Sequence, residues 1–211
     1  MINYQVISHK GSFICFFENK FSSDKLLNEF EKPEFYFTEL EKLKTENRKK
    51  EFLGLRLALK HCLNGTEKEI GYTQEGKPVI GDSCCKISFS HCRGWIAVIV
   101  HPENEVGIDI ENPSEKLKTL SRRFLCDEEL AYYLKDENFD YLRISWSVKE
   151  ALFKIIGDDA VNFAEQLHIS PFKIENEGNV EAVHVSSGKK YRIYYQLTDN
   201  YTLAWCVDNE A

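Results

Sequence analysis

Four short clusters of polar residues in this chain have types and spacing that could carry chemistry. The first is Gly107-Ile108-Asp109-Ile110-Glu111. Alternate side chains of a strand share a face, so Ile108 and Ile110 would enter a core while Asp109 and Glu111 stand together on the other side, roughly 7 Å apart. Two carboxylates so placed can share a hard cation such as magnesium, which takes one or two carboxylates, waters and phosphate oxygens. An amphipathic strand with a wet acidic edge is the plainer alternative. The second cluster is Trp146-Ser147-Val148-Lys149-Glu150-Ala151-Leu152-Phe153-Lys154. On a helix Trp146, Lys149, Glu150 and Phe153 fall on one stripe. A lysine and a glutamate beside an aromatic seam are unusual, because charges avoid burial unless partnered. Snorkelling stems and an ordinary Glu150–Lys154 surface pair are the alternative.

The third cluster, Ser88-Phe89-Ser90-His91, closes a strand just before a turn. A histidine there can hold an anion when protonated or act as a base, or it can be structural. The fourth, Gly76-Lys77-Pro78, presents a lysine on a tight turn, where a solvated loop lysine is the default. Arg48, Lys49, Lys50 and Arg56 crowd one further segment. There is no Walker loop, G-x-G-x-x-G or G-x-S-x-G, so nucleotide-binding and hydrolase folds lose support.

The elements that must position these residues follow from periodicity. Residues 2–8 and 12–17 alternate as a hairpin about Gly11. From Asp24 to Leu63 the pattern is helical, interrupted by Pro33, with Phe52, Leu55, Leu59 and Leu63 at helical spacing and Asn64-Gly65 as the stop. Strands are expected at 70–73, 86–91 and 95–100. The polar run 101–105 marks a boundary, giving domains 1–104 and 105–211. The second half opens with strand 106–111. It continues with helices from Glu115 to Ile156, broken near 136–139, and ends with strands at about 171–175, 180–185, 190–197 and 201–207. This is an α+β layering of helices on antiparallel sheets.

The composition sets outer limits. The chain has 211 residues, 43% hydrophobic and 13% aromatic, enough for a core, and a net charge of −7. A globally acidic surface is a poor match for nucleic acid. The seven cysteines form no C-x-x-C pair and read as free thiols of a reducing cytoplasm. No signal peptide or apolar run of membrane-spanning length is visible.

Taken in order, the basic helix with F-L-G-x-R, then G-K-P, S-H, G-I-D-I-E and W-S-V-K-E-A-x-x-K resemble the 4′-phosphopantetheinyl transferase superfamily. The layout is similar to its larger monomeric, surfactin-synthetase-activating type. The resemblance runs from about Arg48 to Gly157. The spacing of about 35 residues between the acidic strand and W-x-x-K-E-A is its most specific part.

The resemblance implies two similar α+β subdomains, a pseudo-dimer, with coenzyme A in the cleft between them. It implies a magnesium site at Asp109, Glu111 and Glu150, with manganese as a possible substitute. Glu150 and Lys154 would be catalytic. Arg48, Lys50, Arg56, Lys77, Ser90, His91, Lys149 and Lys154 would contact coenzyme A. The partner would be an apo acyl or peptidyl carrier protein, without nucleic acid or membrane. A different magnesium-dependent phosphoryl enzyme, such as a phosphodiesterase, and an inactive carrier-binding module are the competing readings. For the carrier, the stretch Lys116–Leu134 offers Lys116, Lys118, Arg122 and Arg123 around Leu117, Leu120, Phe124 and Leu125, an apolar centre ringed by positive charge.

Overall fold

The period-two patterns at the start of the chain form strands β1 (Gln5–His9) and β2 (Ser12–Glu18), which pair antiparallel across the Lys10-Gly11 turn. In the computed structural model, which describes residues 2–81, 85–157 and 160–208, β2 is followed by helix α1 (Ser23–Leu27). Pro33 then opens a 3₁₀ turn (Pro33–Tyr36), which leads into α2 (Phe37–Lys42) and the long helix α3 (Glu46–Cys62). Thr45 caps α3 by accepting the Arg48 N–H at 3.3 Å, and Asn64 and Gly65 stop it with positive φ. The short ribbon β3 (Ile70–Tyr72) and β4 (Pro78–Ile80) precedes β5 (Lys86–Cys92) and β6 (Trp95–His101). The first sheet has the order β1-β2-β6-β5.

The connection to the second half is fixed by its own polar groups. The His101 ring nitrogen Nδ1 accepts the N–H groups of Glu103 and Asn104. Strand β7 (Val106–Glu111) then begins a second sheet, completed by β8 (Leu167–Ile169), β9 (Glu177–His184), β10 (Lys189–Leu197) and β11 (Thr202–Val207), in the order β7-β11-β10-β9-β8. Between β7 and β8 lie α4 (Lys116–Phe124), α5 (Asp127–Tyr133), α6 (Phe139–Ile156) and α7 (Phe163–Gln166). Asn138 caps α6 through its side chain, and Gly157 ends it in the left-handed conformation.

Alternation along the strands stacks these parts. Leu53 and Leu57 of α3 cover Ile96 and Val98 on one face of the first sheet. The opposite faces of the two sheets meet through Ile14, Phe16, Ala97 and Ile99 against Ile108, Ile110, Leu203 and Trp205. Beyond the second sheet, Val148, Ala151 and Leu152 of α6 pack on Val180, Ile193 and Ala204. The order helix, sheet, sheet, helix is the expected α+β layering of antiparallel sheets with helices.

Two elements differ from the sequence reading. No strand occupies 171–175. The edge strand is Leu167–Ile169, which pairs with β9 from His184 to Ala182. Pro171 lacks the N–H a ladder needs, and the apolar Phe172 and Ile174 pack instead against the cluster of α4, α5 and α6. The helical stretch also breaks a second time, after Phe124. The Glu129 carboxylate there accepts the Cys126 N–H at 3.0 Å and starts α5 afresh. On α3 the buried face is Leu53, Leu57, Leu59 and Cys62, whereas Phe52 and Leu55 lie at its margin. Among the described residues six cysteines are free thiols; Cys84 lies outside them. No helix among these residues is long and apolar enough to cross a membrane.

Candidate active site

Helix α6 lies on β7 at Gly107. A β-carbon at that position would stand 1.9 Å from the Ala151 carbonyl oxygen, so only glycine permits this approach. The next residue facing the helix is Asp109, 2% exposed, while Ile108 and Ile110 enter the core between the sheets. The close approach sets α6 beside the carboxylates of β7, and Lys154 crosses the gap. Its ammonium donates to the Ile108 carbonyl at 2.7 Å and to Asp109 Oδ1 at 3.1 Å. Ser90 Oγ donates to the same Oδ1 at 3.0 Å. Beside it, the Ile108 N–H donates to Ser88 Oγ at 3.3 Å, so the edge strands β5 and β7 are joined through side chains.

One lysine therefore faces three acidic groups. Burial, with Asp109 and Glu150 close by, pushes Glu111 up to about 7, against the pull of Lys154 and a hydrogen bond to the Trp146 side chain. Burial and Asp109 push Glu150 to about 7 as well, with Lys154 opposing. Asp109 Oδ2 is buried with no hydrogen-bond partner. Among the described residues no three His, Cys, Asp or Glu side chains converge tightly enough to hold one ion as they stand. The donor set nonetheless suits a hard divalent cation. It is all oxygen, it carries excess negative charge, and one buried carboxylate oxygen awaits a partner.

Two clefts flank this point. One, of about 510 Å³, is lined by Asn47, Lys50, Glu51, His91 and Arg93. His91 Nδ1 lies 3.8 Å from the Glu51 carboxylate. Burial lowers the imidazole below its usual value; Glu51 opposes this, and Arg48 and Lys154 add to it. Arg48 itself is exposed and pairs with Glu51 at 3.0 Å. The other cleft, of about 370 Å³, joins the Gly76-Lys77-Pro78 turn to Ser88, Phe89, Phe153 and Lys154. Lys77 pairs with Glu105, which also holds Lys86 at 2.8 Å, and so pins the turn to the connection between the halves.

The structure thus brings Asp109, Glu111, Glu150, Lys154, Ser90, His91, Lys50, Arg48 and Lys77 to the two clefts or the junction between them. Two residues go elsewhere. Lys149 is fully buried, and its ammonium donates to Glu129 at 2.5 Å and to the carbonyls of Phe124 and Phe163. All three N–H bonds are committed, so the expected contact with a cofactor gives way to a structural tie between α6, α4, α5 and α7. Arg56 stacks on Phe52 and lines a separate opening. It lies about 12 Å further along the helix axis than Arg48 by helical rise. The alternative of an ordinary Glu150–Lys154 surface pair gives way to Lys154 on Asp109.

Three contributors have roles that the sequence reading did not assign. Trp146 bonds to Glu111, Cys92 lies near Glu111 and Asp109, which with burial push its thiol up to about 12, and Ser88 takes the β7 amide. Only Trp146 carried a signal, its place one helical turn before Glu150. The supposed docking centre also changes character. Leu117, Phe124 and Leu125 are buried in the cluster with Tyr133 and Tyr141, leaving Arg122 and Arg123 exposed with only the partly buried Leu120 of the apolar centre expected between them.

A chain with this layering and these carboxylates has counterparts among known proteins. Residues 105–206 match the family model of the 4′-phosphopantetheinyl transferase superfamily. Among its curated relatives is 4′-phosphopantetheinyl transferase Sfp of Bacillus subtilis (strain 168). The chain is 28% identical to it over 141 residues, which is 64% of this chain. The match spans 61% of that relative's own length.

Proposed function

We propose that the protein transfers the 4′-phosphopantetheine moiety of coenzyme A to a serine of an apo carrier protein, with release of 3′,5′-ADP. The observation that carries this reading is the gathering of Asp109, Glu111 and Glu150 around one lysine, at the junction of two clefts. In this reading the halves 1–104 and 105–211 form a pseudo-dimer whose cleft holds coenzyme A. His91, Arg48 and Lys50 would face the 3′-phosphate, and Lys77 the nucleotide.

Asp109, Glu111 and Glu150 would hold magnesium, or manganese in its place. When bound, the ion neutralises the pyrophosphate and the charge growing on the leaving group. The nucleophile belongs to the carrier, so the enzyme positions groups and stabilises charge. Glu150 accepts the serine proton as the hydroxyl oxygen bonds to the β-phosphorus and the bond to 3′,5′-ADP breaks. Lys154 has three N–H bonds, two of them placed on Ile108 and Asp109, which leaves one for a phosphoryl oxygen. Ser90 and Lys154 keep the buried Asp109 oriented.

The test is the intact mass of candidate apo carriers after incubation with coenzyme A and magnesium. A gain of one phosphopantetheine on a serine, with 3′,5′-ADP in solution, is the expected result. Free phosphopantetheine without carrier labelling would identify a phosphodiesterase instead. Metal-independent binding without turnover would identify an inactive carrier-binding module. Asp109→Ala should lose on the order of 10²- to 10³-fold in rate while keeping its far-ultraviolet circular dichroism.

A further inference from the structure

Where the edges of β5 and β7 meet, alternate side chains of β5 reach β7 at even intervals. Ser88 Oγ accepts the Ile108 N–H at 3.3 Å, and Ser90 Oγ donates to Asp109 Oδ1 at 3.0 Å. Cys92 is the next residue on that side of β5, and its sulfur accepts the Asn112 N–H. The step from Ser90 to Asp109 therefore recurs from Cys92 to Glu111, and both carboxylates act on the sulfur. Cys15, Cys62 and Cys206 are buried thiols, whereas Cys92 is half-buried and lines the cleft of about 510 Å³, which gives an ion a path to it. A second observation points to a ligand at the same place. Asp109 is 2% exposed; its Oδ1 is committed to Ser90 and Lys154, and its Oδ2 is buried with no partner.

A buried carboxylate oxygen without a partner is costly, and a cation removes that cost. The sulfur decides which cations can do so. Magnesium takes oxygen ligands and leaves a thiol protonated. Zinc binds mixed sulfur and oxygen sites far more tightly, and thiolate is among its preferred ligands. We propose that Cys92 is a further ligand at the carboxylate cluster, and that through the Cys92 sulfur, Asp109 Oδ2 and Glu111 the cluster captures zinc in place of a hard cation. Turning the Cys92 and Glu111 side chains about their own single bonds brings the donors together. As the zinc–sulfur bond forms, the S–H bond breaks and its proton passes to water. Zinc then occupies the cluster and excludes magnesium, so the thiol makes the site sensitive to thiophilic metals. The inference rests on the cation site of the transferase reading and not on the reaction.

Titration of the whole reduced protein with cadmium, the optical stand-in for zinc, tests the assignment without coenzyme A or carrier, so its failure is distinct from a failure of carrier labelling. A saturable one-to-one thiolate-to-cadmium charge-transfer band in the ultraviolet is expected, and zinc should displace it. Millimolar magnesium should raise the cadmium concentration needed for half-saturation, because the two ions share Asp109 and Glu111. Cys92→Ser should abolish the band and weaken zinc about 100-fold, the upper end of what losing even an outer partner of a metal ligand costs. Glu111→Gln should keep the band but shift its midpoint upward. Cys126, whose sulfur lies 3.3 Å from the Glu128 carboxylate, is the control thiol, and Cys126→Ser should titrate like the parent. A parent without a saturable band, a band that survives Cys92→Ser or is lost in Cys126→Ser, or a midpoint indifferent to both magnesium and Glu111→Gln overturns the proposal.

Discussion

Glu111 and Glu150 sit among negative neighbours while the nearest cation, Lys154, is bonded to Asp109. Both carboxyls are held near 7, above the usual carboxylate range, so between about pH 4.5 and 7 the folded protein binds more protons than the unfolded chain. Stability of the metal-free protein therefore falls as pH rises through that window. The melting temperature should be highest near pH 5 and decline toward pH 7.5, and millimolar magnesium should flatten the decline. Glu111→Gln, which removes one of the repelling charges, should raise the metal-free melting temperature at pH 7.5 and depress turnover. A metal-free profile that is flat or rises across this range would contradict the charge arrangement. Much of this cluster was legible in the sequence, because alternation alone puts Asp109 and Glu111 opposite the isoleucines. The fate of Lys149 was not. Its counter-charge, Glu129, is twenty residues away in the chain, and nothing local distinguishes a lysine that reaches a cofactor from one that closes a core.

At the scale of elements, the site depends on how deeply α6 settles on β7. Gly107 sets that depth, since a methyl group there would strike the Ala151 backbone. Gly107→Ala should cost about 1–3 kcal/mol, as overpacking does. It should also lower turnover more than this loss of stability explains, because Glu150 and Lys154 ride on the displaced helix. Equal activity of the folded variant, measured well below its melting temperature, would show that the approach is slack. Strands β1, β2, β5, β6 and β7 were readable from alternation and turn residues, and α3 and α6 from their periodicity and stops. The edge strand at 167–169 was not, being three residues long and next to a more strand-like run at 172–174. That run owes its apolar alternation to packing under α5 and α6.

For the whole molecule, the net charge of −7 would oppose long-range attraction to an acidic carrier in the proposed reaction, so attraction would have to come from a local patch. Arg122 and Arg123 are both exposed on α4, and no ion pair holds either among the described residues. Reversing both to glutamate should raise the apparent KM for the carrier, leave that for coenzyme A nearly unchanged, and weaken the dependence on ionic strength. Carrier kinetics that do not respond to salt in either protein would place docking elsewhere. The apolar centre expected there could not be excluded from periodicity, because a core-facing stripe and a docking stripe have the same spacing.

The two sheets also differ in when they can close. Every strand of the first lies before residue 102, so it can assemble while the chain is still being made. The strand that bears Asp109 has its ladder partner at residues 202–207. On the ribosome that strand must wait some hundred residues for its neighbour, leaving an unpaired acidic edge beside an already folded half. Nascent chains arrested before Thr202 should resist protease through the first sheet and be cut within 105–160. Only emergence of residues 202–207 should complete the sheet that carries the acidic cluster.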